Sequence, residues 1–153
     1  MEGTVKVMRR LPILLATVVI AALSVAEGSQ PSDQIISVGS HRLQIHREGK
    51  GVPAVVIDAG IGDQLDKLRP LQDRVARATQ VITYNRAGYG QSEPGPLPRN
   101  GAREAEELKV LLKEGSVPGP YVLVGHSLGA LNVMAFASKY PKDVAGLVLL
   151  DPP

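Results

Sequence analysis

The residues best suited to chemistry surround Ser127. The run Gly125-His126-Ser127-Leu128-Gly129 has the pattern Gly-x-Ser-x-Gly, in which a sharp turn between a strand and a helix exposes the serine hydroxyl. A hydroxyl becomes a nucleophile when a base takes its proton, and the oxyanion that then forms needs preorganised hydrogen-bond donors. The pattern therefore predicts acyl transfer at Ser127, with Gly125, His126 and Gly129 forming the elbow around it.

Two backbone N–H groups are candidates for the oxyanion donors. Leu128 follows the serine at the start of a predicted helix, where its N–H faces the developing charge and the helix dipole adds positive potential. The second candidate is Ile61, in the glycine-rich run Ala59-Gly60-Ile61-Gly62 that follows a predicted strand. These glycines could instead serve only to turn the chain, which any sheet of this kind requires at a strand end.

Hydrophobic patterns predict the elements that hold these residues. Four short apolar runs, typical of parallel strands buried on both faces, lie at residues 54–57, 81–84, 121–124 and 147–150. Three helical patterns lie between or beside these runs: the first begins at Pro70, the second spans residues 102–114 and the third spans residues 127–139. The second pattern ends at Gly115, a residue that suits a left-handed C-cap. Strands that alternate with helices indicate an α/β fold with a mostly parallel sheet.

An antiparallel hairpin is predicted at the N-terminal edge of this sheet. Its strands lie at residues 34–38 and 41–47, and polar and apolar residues alternate in the second of them. That alternation predicts one face in water, with Gln44 and His46 on it. We also expect His41 at the surface.

The chain resembles a known family over nearly all of its length after the first 26 residues. The resemblance is carried by three runs in the right order and spacing: ISVGSHRLQIHREGKGVPAVVIDAGIGD, VITYNRAGYGQSEPGPLPR and VPGPYVLVGHSLGALNVMAFASKYPKDVAGLVLLDPP. These look like the N-terminal half of bacterial α/β-hydrolases of the prolyl-iminopeptidase and esterase-like type. The resemblance implies an eight-stranded sheet, a nucleophile at Ser127, oxyanion donors at Ile61 and Leu128, and hydrolysis of an ester or related acyl bond. Epoxide hydrolases and dehalogenases of this fold are disfavoured, because their nucleophile is Asp.

The remaining members of a catalytic triad are not evident. In this fold the acid and then a His follow the serine along the chain, and no His follows Ser127 in this sequence. Asp151 is a possible acid, although it is more readily interpreted as a structural residue that opens a loop. His126 is expected to support the elbow, because adjacent side chains on a sharp turn diverge. The sequence is therefore interpreted as a serine hydrolase truncated after the sixth strand, with an apolar edge there; the alternative is a non-catalytic or remnant binding protein on the same scaffold.

The first 26 residues are predicted to be a secretory signal peptide, followed by the hydrolase domain at residues 27–153. Three basic residues precede an apolar run at residues 11–23, and Ser24-Val25-Ala26 supplies small residues for cleavage. We therefore expect an exported protein, periplasmic or secreted, without stable membrane insertion after cleavage. An uncleaved signal that anchors the chain in a membrane is the alternative.

Composition narrows the possible partners. After the first 26 residues the basic and acidic residues are equal in number, and the whole chain has no Cys, no Trp and one Phe. Neither an electrostatic surface for phosphates nor stacking platforms for bases are expected, so nucleic acid is an unfavoured partner. No metal cluster or nucleotide-binding loop is apparent, so no cofactor is predicted. The expected partner is a small-molecule acyl substrate.

Overall fold

A computed structural model describes residues 31–153. The predicted signal peptide at residues 1–26 lies outside the described residues, so its assignment stays a prediction. Among residues 31–153, no helix has the length and apolar character that crossing a membrane would require.

Six strands form one mixed sheet. Their bounds are β1 Ser32–Ser37, β2 Arg42–Glu48, β3 Val55–Asp58, β4 Val81–Tyr84, β5 Tyr121–His126 and β6 Val144–Leu150. Across the sheet they lie in the order β1-β2-β4-β3-β5-β6. The pairs β1–β2 and β2–β4 are antiparallel, and the other three pairs are parallel. The predicted fold is confirmed, and the described residues supply six of the eight strands that the resemblance implies.

Three α-helices connect the parallel strands. They are α1 Arg69–Val75, α2 Gly101–Glu114 and α3 Leu128–Lys139. The side chain of Asn100 caps α2 by accepting a hydrogen bond from the N–H of Arg103 at 3.0 Å. α2 packs against α3, and α3 packs against β3 and β5. The two helices therefore cover the core on one side of the sheet.

The end of α2 differs from the prediction in one residue. Gly115 is right-handed, with φ of −72°, and Ser116 takes the left-handed conformation with φ of 53°. The N–H of Ser116 donates to Lys113 O and the N–H of Val117 to Leu112 O, which is the Schellman arrangement. A Cβ at Gly115 would lie 2.7 Å from the carbonyl oxygen of Leu111 and 2.8 Å from Nη2 of Arg47, so the helix end leaves little room for a side chain there.

The hairpin prediction was wrong about its wet face. Gln44, His46 and His41 are all at most 7% exposed. Gln44 Oε1 accepts a hydrogen bond from Asn85 Nδ2 at 2.6 Å, and His46 contacts Asp33 and lies 3.2 Å from Arg69 Nη1. His41 Nε2 lies 3.4 Å from Oε1 of Glu107, but neither ring nitrogen of His41 has a hydrogen-bond partner among residues 31–153. Polar partners from other segments make the burial of Gln44 and His46 possible.

Strand β6 lies at the edge of the described sheet. It pairs with β5 on one side, and within residues 31–153 no strand pairs with its other side. Its apolar residues are therefore exposed, by 42% at Leu147 and 43% at Val148. The expectation that the apolar run at residues 147–150 is buried on both faces was wrong. The expected apolar edge at the sixth strand is confirmed.

Candidate functional site

Ser127 lies on the predicted sharp turn between a strand and a helix. β5 ends at His126 and α3 begins at Leu128, and Ser127 between them has φ of 49° and ψ of −119°. Residues with a Cβ rarely adopt this backbone conformation, and it costs of order 1–3 kcal/mol. The turn is held by the Ser127 N–H, which donates to Leu150 O, and by the Ala130 N–H, which donates to Ser127 O.

The two elbow glycines permit close backbone approach. A Cβ at Gly125 would lie 2.5 Å from Ala130 Cα, and a Cβ at Gly129 would lie 2.2 Å from the carbonyl oxygen of Asp58. The first glycine therefore lets α3 fold back on β5. The second lets α3 pack directly on the end of β3.

Replacing Ser127 with glycine should relieve the strain of the elbow. We expect Ser127→Gly to be more stable than Ser127→Ala by about 1 kcal/mol, because glycine adopts positive φ without steric cost. Urea unfolding of the two variants measures the difference. The control pair is Ser37→Gly and Ser37→Ala at an exposed position of strand β1, where the alanine variant should be the more stable of the two. Equal stability of the two Ser127 variants would contradict a strained elbow.

The glycine-rich loop after β3 lies against the elbow. A Cβ at Gly60 would be 3.0 Å from Nδ1 of His126 and 3.1 Å from Oδ2 of Asp63, so the loop approaches the His126 ring closely. The His126 Nδ1 atom lies 3.8 Å from that Asp63 oxygen. The position of His126 between elbow and loop agrees with a supporting role, which stays a prediction.

The structure brings the two predicted oxyanion donors to one cavity. Ile61 and Leu128 both line a cavity of about 280 Å³. The Ile61 side chain is 72% exposed, and Gly62 beside it has φ of +75°. Their assignment as oxyanion donors stays a prediction that this shared location supports.

Arg86 holds the glycine-rich loop from below. Its side chain is only 5% exposed. Nη1 donates to Ala59 O at 2.6 Å and Nη2 to Gly60 O at 2.7 Å, and Nη1 also pairs with the carboxylate of Asp58. The guanidinium therefore fixes two carbonyl groups of the loop that carries Ile61.

Asp58 is the centre of a buried polar network. Oδ2 accepts hydrogen bonds from Tyr84 OH at 2.9 Å and from Asn132 Nδ2 at 3.1 Å. Burial raises the pKa of Asp58, while the Arg86 charge and the hydrogen bonds act in the opposite direction. The network joins the ends of β3 and β4 to α3, the helix that follows the elbow.

Comparison with known proteins identifies the family. The sequence model of the α/β-hydrolase fold matches residues 53–153. The chain belongs to the α/β-hydrolase family. The matched region contains the glycine-rich loop, Arg86 and the whole elbow, so the α/β-hydrolase pattern covers every element of the candidate site.

Related sequences are longer than this α/β-hydrolase chain. The uncharacterized protein YqjL of Bacillus subtilis is 36% identical over 107 residues, which are 70% of this chain and 42% of YqjL. The 2-(acetamidomethylene)succinate hydrolase of Mesorhizobium japonicum is 30% identical over 78% of this chain and 44% of that enzyme. The chain thus spans less than half the length of these relatives.

Solved structures give the same result for the α/β-hydrolase fold. A thermophilic esterase from Thermogutta terrifontis has a TM-score of 0.71 and 25% identity, over 80% of this chain and 46% of that one. Epoxide hydrolase A from Mycobacterium thermoresistibile has a TM-score of 0.70 and 26% identity, over 78% and 38% of the two chains.

The described part of this α/β-hydrolase places no histidine other than His126 next to Ser127. His41 lies 3.4 Å from Glu107 and His46 contacts Asp33, so both belong to the hairpin and its neighbours. Asp151 follows β6 directly, is exposed and has φ of 45°. Its role as the triad acid stays a prediction. Among residues 31–153, no three His, Asp or Glu side chains are grouped as metal ligands would be.

The sequence alone did not predict the buried network that supports the site. No role was predicted for Asp58 or Arg86, which occur only within the runs that carry the resemblance. A signal was present, because a charged residue at the end of an apolar strand needs a buried partner when the strand is central. Arg86, the charged residue at the end of the neighbouring predicted strand, is that partner.

Proposed function

We propose that this protein is a serine hydrolase that cleaves an ester or a related acyl bond, with Ser127 as its nucleophile. The observation that carries the proposal is the strained turn at Ser127 beside a cavity lined by both Ile61 and Leu128. Ser127, which is not a glycine, is held in a costly backbone conformation at a turn that can expose its hydroxyl for reaction. The names of the Mesorhizobium hydrolase and the Thermogutta esterase support the same class of reaction.

The proposed reaction has two half-steps. Ser127 Oγ attacks the carbonyl carbon and loses its proton to a general base, and the N–H groups of Ile61 and Leu128 stabilise the oxyanion. As the tetrahedral intermediate collapses, the base returns its proton to the leaving oxygen, which departs as an alcohol, and an acyl-serine remains. A water molecule then gives a proton to the same base and attacks the acyl carbon; the ester bond to Ser127 Oγ breaks, Oγ takes the proton back, and the acid is released. A histidine is the base that this fold uses, and Asp151 is the candidate acid within the chain.

A second candidate function is that of a non-catalytic binding protein on the hydrolase scaffold. It is favoured by one observation: among the described residues, neither His41 nor His46 contacts the elbow. Without a base, a serine hydroxyl is a poor nucleophile.

Hydrolysis of p-nitrophenyl acetate separates the two functions. We expect the protein expressed from its complete gene to hydrolyse this ester at least a hundredfold faster than its Ser127→Ala variant, because triad serines contribute rate factors well above that. Circular dichroism of both proteins controls for folding. Equal rates for the two folded proteins would exclude the serine hydrolase and support the binding protein.

We also propose that the protein is exported, on the basis of the signal pattern in residues 1–26. The mature chain should then begin at Glu27. Mass spectrometry of the periplasmic and secreted fractions tests this. A chain recovered from the cell membrane with residues 1–26 intact would instead indicate an uncleaved anchor.

A further inference from the structure

The cavity beside Ile61 and Leu128 contains a carboxylate that the proposed reaction does not use. Glu104, in the first turns of α2, lines this cavity, and its side chain is only 11% exposed. Charged side chains are rarely buried to this extent without a full set of partners.

The partners of Glu104 leave one of its oxygens available. Oε1 accepts a hydrogen bond from Arg99 Nη2 at 2.7 Å. Oε2 has no donor among residues 31–153, and it is not sealed from solvent. A carboxylate can accept about four hydrogen bonds, so a ligand in the cavity can bind to Oε2.

The local charge balance favours a hydrogen-bond donor at this position. Arg99 is shared by two carboxylates, because it also holds both oxygens of Glu107 at 2.5 and 2.6 Å. The nearby Arg86 is already occupied by Asp58 and by two backbone carbonyls. Burial raises the pKa of Glu104, Arg99 opposes the rise, and the negative charges of Glu107 and Asp58 add to it.

We propose that this cavity is an acyl subsite, in which Glu104 Oε2 accepts a hydrogen bond from a hydroxyl or ammonium group on a short acyl chain. The inference rests on the proposed function, since the oxyanion donors place the substrate carbonyl at the wall formed by Ile61 and Leu128. The volume of about 280 Å³ is just below the usual range for ligand pockets, roughly 300 to 1,000 Å³, which favours a short chain over a fatty acyl group. Buried polar groups in a pocket reject analogues that leave them unpaired.

Binding of three matched amides to the Ser127→Ala protein, expressed from its complete gene, tests the subsite without turnover. The ligands are 3-hydroxybutyramide, 3-aminobutyramide and 3-methylbutanamide, which differ at one group. We expect the hydroxyl and ammonium compounds to shift the amide resonances of Ile61, Tyr89 and Leu128 and to bind about tenfold more tightly than the methyl compound, as expected for a hydrogen bond to a charged acceptor.

Variants of Glu104 assign the preference to its carboxylate. Glu104→Met should abolish both preferences, and Glu104→Gln should keep the preference for the hydroxyl while losing that for the ammonium. Glu114→Met is the matched control, because Glu114 lies on the same helix with its side chain 50% exposed, and it should change neither. If Glu104→Met does not fold, Glu104→Gln decides alone, since its amide oxygen can still accept from Arg99.

Three results would overturn the inference. They are equal binding of the three amides, a preference for the hydroxyl or ammonium compound that persists in Glu104→Met, and a preference for the ammonium compound that persists in Glu104→Gln. Fluorophosphonate labelling of the unmodified protein separates this result from failure of the proposed function. Labelled Ser127 without selective binding removes the subsite alone. Selective binding without labelling removes the nucleophile alone.

Discussion

Replacing Gly129 with alanine is expected to destabilise the protein by about 3 kcal/mol or more, at the upper end of the usual cost of overpacking. The added Cβ would lie 2.2 Å from Asp58 O and 2.7 Å from Ala59 O. Both neighbours are backbone atoms, so no side chain can rotate away. Because α3 must move off β3, labelling of Ser127 by a fluorophosphonate should also be lost. Urea unfolding measures the change in the free energy of unfolding.

Gly146→Ala is the matched control for this variant. The nearest atom to a Cβ at Gly146 on β6 is Val122 Cγ2, at 3.9 Å, which is an ordinary van der Waals contact. This control should unfold within about 0.5 kcal/mol of the unmodified protein, as substitutions without a special cause do. A Gly129→Ala protein as stable as the Gly146→Ala protein would show that α3 does not pack on β3 as described.

The second large effect is expected for Arg86→Met, which should lower the free energy of unfolding by about 3 to 5 kcal/mol, as is found when one partner of a buried ion pair is removed. The variant leaves the Asp58 carboxylate buried without its cation and frees the carbonyls of Ala59 and Gly60. The loop that carries Ile61 would lose its support. Thermal and urea unfolding measure the loss.

The loss in Arg86→Met should depend on pH. Burial raises the folded-state pKa of Asp58 and the Arg86 charge opposes this, so removing Arg86 raises that pKa further. A carboxyl whose pKa is higher in the folded state binds its proton more tightly there, so lowering the pH favours folding. The stability difference between variant and unmodified protein should therefore shrink as the pH is lowered from 7 toward the raised pKa.

Arg42→Met is the matched control for the loss of an arginine. Arg42 pairs with Glu93 at the surface, where the two side chains are 58% and 40% exposed. Water and salt screen such a pair, so little stability should be lost. An equal loss for Arg86→Met and Arg42→Met, or a deficit for Arg86→Met that grows at low pH, would contradict the proposed role of the Asp58 network.

The central part of the fold was predictable because its signals are local. The apolar runs at residues 81–84 and 121–124 lie on strands that are covered on both faces, and helices followed where the pattern placed them. The elbow is similarly local, since five consecutive residues specify the turn. By contrast, the polar residues Gln44 and His46 were assigned to water because alternation alone cannot reveal partners such as Asn85 and Asp33.

The supporting network of the site depends on contacts between distant segments. Asp58 and Arg86 are 28 residues apart, and Asp58 and Asn132 are 74 apart. Each polar residue alone is compatible with an exposed loop or a helix surface. Only the sheet order, which places β3 between β4 and β5, brings these three side chains together beneath the glycine-rich loop.

Mass-spectrometric mapping after treatment with a fluorophosphonate tests most directly whether Ser127 is the nucleophile. The protein expressed from its complete gene should gain one adduct, on the tryptic peptide that contains Ser127. The Ser127→Ala protein should gain none, and prior heat denaturation should prevent labelling because reactivity depends on the folded elbow. A folded protein that gains no adduct at Ser127, or an adduct that persists in Ser127→Ala, would contradict the proposed role of this serine.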